Sequence, residues 1–125
     1  MIKNIPTNVT LLKKINSKKQ SLVLVDYDDT SALSPDVFRR VIAIFESVGY
    51  TVLICTSRAH DDDNSDLEKD FPDTGVVYCN GEQKEQILTR LGVKKTSIAF
   101  WIDDCPLSIP EMSDMEEVIE YSGDW

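Results

Sequence analysis

An α/β domain with a mostly parallel sheet flanked by helices is the fold this sequence predicts, and three observations predict it. Short aliphatic and β-branched runs recur at residues 22–25, 51–55, 75–79 and 97–102. They are continuously apolar rather than alternating, as expected of strands buried on both faces. Segments with helical periodicity lie between them, so strand and helix alternate in the manner of parallel strands joined by right-handed crossovers. The 125 residues suffice for one domain with a core of its own, and composition shows no low-complexity tract or internal repeat.

The chain opens with residues 1–20, a basic helical segment. Thr7 or Asn8 is placed to cap a short helix whose apolar face is Val9, Leu11, Leu12 and Ile15. Residues 16–20 break it before the first strand. That strand ends abruptly in Asp26, Asp28, Asp29 and Thr30. Ser34 is the expected N-cap of the next helix, with Pro35 in its first turn. Phe38, Val41, Ile42, Ile44, Phe45 and Val48 form its apolar stripe, and Gly49 stops it. The second strand ends in Thr56, Ser57 and Arg58.

Residues 60–66 are an acidic loop leading into a short helix near 67–71, where Asp and Ser serve as natural cap and first-turn residues. The loop lacks the Gly and terminal Glu of a helix–loop–helix calcium site, and His60, the one histidine, has no neighbours at zinc-ligand spacing. A third strand runs into the Asn80-Gly81 turn. Residues 82–91 are helical with Ile87, Leu88 and Leu91 inward, and Gly92 ends them. The fourth strand ends in acid again, Asp103 and Asp104, followed by Cys105-Pro106. Residues 118–121 read as an edge strand. The domain therefore divides into the N-terminal helical segment, a core at 21–106 and a C-terminal edge segment at 107–125.

Charge and cysteine usage narrow the function classes. The net charge is −9, and since the first twenty residues carry five lysines and no acid, the rest holds −14. A chain this acidic is a poor general nucleic-acid binder, though it can still act on one terminal phosphate. The lysines read as a solvated helix face. Three cysteines, Cys55, Cys79 and Cys105, make an odd count without CxxC spacing, which points to free thiols in a reducing compartment; the first two fall in apolar runs, where Cys serves as a small buried hydrophobe. No apolar run has membrane-spanning length, and residues 1–6 lack a signal peptide's apolar stretch, so the expected location is cytoplasmic.

Four segments thus end at one edge of the sheet, where ligands of open α/β folds sit. If the first and fourth strands are neighbours, Asp26, Asp28, Asp103 and Asp104 converge. A hard cation with oxygen ligands, Mg²⁺ above all, is the simplest way to hold them together. Thr56, Ser57 and the Lys84 ammonium would then face the anionic side of a substrate, a phosphoryl-transfer arrangement. The plainer readings are an acidic turn after a strand and an exposed helix lysine.

The motifs are also similar to those of the haloacid dehalogenase-like (HAD) superfamily over residues 22–106. DYDDT at 26–30 fits its DxDxT signature, VLICTS at 52–57 resembles its second motif, Lys84 stands for the third, and WIDD at 101–104 resembles the fourth. The resemblance implies a single Rossmann-like domain and a Mg²⁺-dependent phosphomonoester hydrolase with an aspartyl-phosphate intermediate. By it Asp26 is the nucleophile and a metal ligand. Asp28 is acid and then base, with its backbone carbonyl on the metal. Thr56 and Lys84 hold the phosphoryl group, Thr30, Ser57 and Arg58 contact substrate, and Asp103 with Asp104 completes the metal shell. Which of these two is the direct ligand stays open.

Two features depart from the family pattern or lack a distinctive motif. Asp29 stands where the family usually has Gly, and Lys84 is assigned by position alone. The short connections around the first and second motifs leave no room for a cap domain, so the site is expected to be open and to take a phosphorylated macromolecular end, or to be covered by an oligomer or partner protein. The CTSR, IDD and SGDW segments are similar to the phosphatase domain of phage polynucleotide kinase. This phage-like resemblance, which is not evidence of origin, implies a nucleotide or polynucleotide-end phosphate as substrate, with the host cytoplasm as location if the chain is phage-encoded. A phosphoprotein or small-metabolite phosphatase and an idle HAD-like binding module are the alternatives. A receiver domain is disfavoured, because its phospho-acceptor would end the third strand, where this chain has Cys79-Asn80.

Overall fold

The structure is a computed structural model that describes residues 9–115. Four strands, β1 (Leu22–Val25), β2 (Thr51–Thr56), β3 (Val76–Tyr78) and β4 (Ile98–Ile102), form one all-parallel sheet in the order β3-β2-β1-β4. Helices α1 (Val9–Asn16), α2 (Pro35–Ser47), α3 (Ser65–Asp70) and α4 (Lys84–Arg90) cover its two faces. The architecture is the expected single α/β, Rossmann-like layer sandwich. The edge strand expected at 118–121 lies outside the described residues.

Alternate side chains of each strand sort into two cores. Leu22, Leu24, Leu53, Cys55 and Val77 point to the face covered by α1 and α4, through Ile15, Ile87 and Leu88. Val23, Val25, Val52, Ile54 and Val76 point to the other face, where Ile42 of α2 and Leu67 of α3 meet them with Phe71. Every residue of β1 is fully buried, which explains its unbroken aliphatic run. Burying a Val or Leu side chain contributes roughly 1.5–3 kcal/mol, so the two cores dominate the stability of the sheet.

The helix boundaries correct two local expectations. Ser34 precedes Pro35 of α2, but its side chain makes no capping bond; its carbonyl instead accepts the Phe38 N–H at 3.1 Å. Ile44 and Val48, counted into the apolar stripe, are 62 % and 69 % exposed, and the inward residues are Phe38, Val41, Ile42 and Phe45. The stripe of α2 is narrower than its apolar content because one face of a helix suffices to cover a sheet. Lys13, Lys14, Lys18 and Lys19 are exposed, as expected of a solvated face. All three cysteines are free; Cys55 and Cys79 are buried with their Sγ atoms 3.6 Å apart, and Cys105 is exposed. Among the described residues no helix is long and apolar enough to cross a membrane.

Candidate active site

β1 lies between β2 and β4, so the carboxyl ends of these three strands share one edge. Of the four aspartates expected to converge there, the carboxylates of Asp26, Asp103 and Asp104 do so while that of Asp28 does not. The Asp26 N–H still belongs to the sheet, donating to the Ile102 carbonyl at 2.9 Å. The chain then turns at once. The Asp26 carbonyl accepts from the backbone and hydroxyl of Ser31, and the Tyr27 carbonyl accepts from Thr30 and Ala32. This compact turn faces the carboxylates of Asp26, Asp28 and Asp29 differently rather than stacking them.

Asp26 is 7 % exposed, and Lys84, the first residue of α4, is 1 % exposed. The Lys84 Nζ donates to Asp26 Oδ1 at 2.9 Å and to Asp103 Oδ2 at 2.5 Å. The exposed-lysine reading of Lys84 is therefore overturned: one buried ammonium is clamped between two carboxylates from β1 and β4. Thr30 Oγ1 lies 3.0 Å from Asp26 Oδ2 and 3.2 Å from Asp104 Oδ1, so its single proton serves one or the other. The other oxygen of Asp103 accepts the Cys105 N–H at 2.9 Å.

These contacts set the titration of the group. Burial, opposed by the hydrogen bond from Lys84 and reinforced by the adjacent Asp104, pushes the Asp26 carboxyl up to about 6. Asp104, sharing a hydrogen bond with Asp26, moves down. Burial works against the Lys84 charge, but its bonds to Asp103 and Asp26 more than offset it, and its net shift is upward. A single ammonium therefore faces three aspartates, leaving an excess of negative charge.

Oxygen atoms of Asp26, Asp103 and Asp104 all lie within 4.8 Å of one another, a group of hard donors that fits a divalent cation such as Mg²⁺. The Asp28 carboxylate stands apart from this group. It is turned to Arg58, which contacts it through Nε at 2.9 Å and Nη2 at 2.8 Å. Thr56 is fully buried and its hydroxyl accepts the Arg58 N–H at 3.2 Å. Ser57 is exposed and lines the basin. His60 is exposed too, its ring against Tyr78.

An open basin of about 220 Å³ covers the site, lined by Asp26, Asp28, Ser57, Lys84, Asp103 and Asp104. Asp29, Cys105 and Ser108 complete its wall. Cys105 and Ser108 were not foreseen; the IDDCP segment turns back across the strand end, and the Pro106 that initiates its short 3₁₀ turn (Pro106–Ser108) was the available signal. A larger cavity, about 310 Å³, lies between α2 and residues 71–74, lined by Arg39, Glu46 and Asp73 beside apolar Ile42 and Phe71, away from the strand-end carboxylates and Lys84.

Asp29 has φ +59°. Left-handed backbone is strained for residues with a Cβ, less so for Asp and Asn. Asp29→Gly is expected to leave stability within about 0.5 kcal/mol, whereas Asp29→Ala loses about 1 kcal/mol. Urea unfolding of the two variants checks this, and equal stabilities would show that the turn relaxes away from positive φ.

Comparison of the chain with protein-family models, with curated proteins and with solved structures returns no match.

Proposed function

We propose that this chain is a Mg²⁺-dependent phosphomonoester hydrolase working through an aspartyl-phosphate on Asp26, with a nucleotide or polynucleotide-end phosphate as substrate. The observation that carries this reading is the buried Lys84 ammonium held on Asp26 and Asp103 at the floor of an open acidic basin. A buried carboxylate with a fixed cation beside it, at the floor of a solvent-open basin, is suited to attack a phosphorus atom whose equatorial oxygens the ammonium neutralises.

In the first step an Asp26 oxygen forms a bond to phosphorus while the ester oxygen leaves, taking a proton from Asp28. In the second, water attacks the acyl phosphate, Asp28 receives the proton, and inorganic phosphate departs with Asp26 restored. Asp26, Asp103 and Asp104, with the Asp28 carbonyl, would hold Mg²⁺, which supplies charge neutralisation for the phosphoryl oxygens. Ser57 stands at the basin wall where a hydroxyl reaches a bound anion. The basin has space for a phosphoryl group, and no described element closes over it, so the organic part of the ester remains outside. That supports a macromolecular end or nucleotide over a small metabolite enclosed by the protein.

Acid quench of the protein with a phosphomonoester and Mg²⁺, followed by borohydride reduction and peptide mass analysis, tests the reading. Conversion of Asp26 to homoserine is the expected result. Ester turnover without that conversion would move the chemistry to direct attack by water. Neither turnover nor a rise in melting temperature with Mg²⁺ would favour an idle binding module instead.

A further inference from the structure

Arg58 was expected to contact substrate, but its guanidinium is already engaged on two sides. Nε and Nη2 hold both oxygens of Asp28, while Nη1 and Nη2 hold both oxygens of Asp66 at 2.7 and 2.9 Å. Four of the five N–H donors that a guanidinium offers are thereby used. The plane of the fork lies over the Tyr27 ring, 5.0 Å from its centroid. Tyr27 is itself fixed: it is 2 % exposed, packs edge-on against Phe71, and donates its hydroxyl to Asp70 Oδ2 at 2.7 Å. Arg58 holds the Asp66 carboxyl down at about 2, as expected of a bidentate charged pair.

The consequence falls on Asp28. Its side chain is 52 % exposed, and among the described residues Arg58 is its sole hydrogen-bond partner. Without it, a half-exposed carboxylate on a turn would sample several rotamers. Asp66 belongs to α3, outside the four motifs that carry the chemistry, and it grips the Nη1–Nη2 edge of the guanidinium, next to the Nε–Nη2 edge that holds Asp28.

We propose that Arg58, anchored by Asp66 and by the Tyr27 ring, is the positioning residue that sets where the Asp28 carboxyl stands for proton transfer, rather than a substrate contact. This rests on the phosphatase reading above. Loss of the fork frees Asp28 to wander, so the proton reaches the leaving oxygen less often, while phosphate binding by Lys84 and the basin is unaffected. The step that suffers is the one that needs the proton. An alkyl phosphate leaves as a poor alkoxide and depends on a general acid; an aryl phosphate leaves as a stable phenolate and depends on it little.

The test measures kcat and KM with Mg²⁺ for a matched alkyl and aryl phosphomonoester in wild type, Arg58→Gln, Arg58→Lys and Asp66→Asn. Arg58→Gln is expected to lower kcat for the alkyl ester about 100-fold more than for the aryl ester, with KM changed less than about twofold. Asp66→Asn, which touches no substrate, should move the same ratio about tenfold. Arg58→Lys should not restore it, since an ammonium lacks the fork that grips two carboxylates. A rise in KM for both esters with an unchanged ratio would make Arg58 a substrate contact and overturn the proposal. A parallel fall in both kcat values with a lowered melting temperature would reduce Arg58 to a structural role and overturn it equally. Wild type inactive on both esters would instead remove the phosphatase reading, and this inference with it.

Discussion

Asp26→Asn is expected to abolish phosphomonoester turnover and, in EDTA, to make the protein more stable above pH 6. The two effects have one cause. Asp26 is almost wholly buried, and burial is the leading reason that its carboxyl is pushed from 3.8 up to about 6. A carboxyl whose folded pKa lies above its unfolded value favours folding while protonated. Its contribution is therefore fully present below pH 3.8 and is lost as pH rises toward 6. At pH 7 the ionised group costs the fold about 1–3 kcal/mol, the equivalent of a shift near two units. Asparagine keeps the shape and removes the charge, and Lys84 retains Asp103 as partner. Urea unfolding of both proteins across pH 3.5–8 reads the difference. The variant should match wild type near pH 3.5 and exceed it above pH 6. Mg²⁺ should stabilise wild type more than the variant and so narrow or reverse the gap. Turnover should fall by about 10⁴-fold or more, as for loss of a nucleophile. A variant less stable than wild type at pH 8 in EDTA would show that the Lys84 bond outweighs burial.

This coupling of activity to instability is in part legible from sequence. The run at residues 22–25 ends in acid without a polar residue between, so its first carboxylate starts inside the sheet. Strand order brings the second acidic pair beside it, and alternating strands and helices already implied that edge. Lys84 was harder to read. It stands three and four residues before Ile87 and Leu88, the inward face of α4, so the helical phase carried the signal of burial. A lysine on that phase looks like an ordinary first-turn residue until the strand ends supply carboxylates for it.

The Asp28–Arg58–Asp66 arrangement was not legible, for a different reason. Its members come from a turn, a strand end and a short helix, and their meeting depends on how residues 57–64 fold. That loop is held by local polar bonds: Asp62 accepts the Ala59 N–H, Asp63 accepts the N–H and hydroxyl of Ser65, and the Asn64 side chain donates to three carbonyls. Of the residues read as cap and first turn, Ser65 and Asp66 do lie in the first turn of α3, but the cap position is Asn64 without a side-chain capping bond, and Asp63 only closes a local turn onto Ser65. Asp66 sits in the same run with a different partner. No periodicity distinguishes the two, because loops have none.

Lys84→Met is the second large effect, and it runs opposite to Asp26→Asn. Methionine matches the length and buries well, so packing is nearly conserved. The ammonium, however, is what neutralises Asp26 and Asp103, whose side chains are 9 % and 2 % exposed. Removing one partner of a buried ion pair leaves an uncompensated charge and costs about 3–5 kcal/mol. Here two carboxylates lose their cation together, and protonation is their cheapest relief. The loss should therefore be largest at pH 8 and shrink as pH falls toward 4, through the range in which the Asp26 carboxyl, pushed up to about 6, takes up its proton. Mg²⁺ should return part of the stability at pH 8, since the oxygens of Asp26, Asp103 and Asp104 are close enough to share a cation in place of the amine. On the proposed phosphatase reading, turnover should stay low even in Mg²⁺, because the amine assigned there to the phosphoryl oxygens is gone. Chemical unfolding at pH 4 and pH 8, with EDTA and with Mg²⁺, separates these terms. Equal stability of Lys84→Met and wild type at pH 8 in EDTA would mean that the amine is not what holds the two strand-end carboxylates together, and the electrostatic account of the site would have to be rebuilt around Arg58 and solvent.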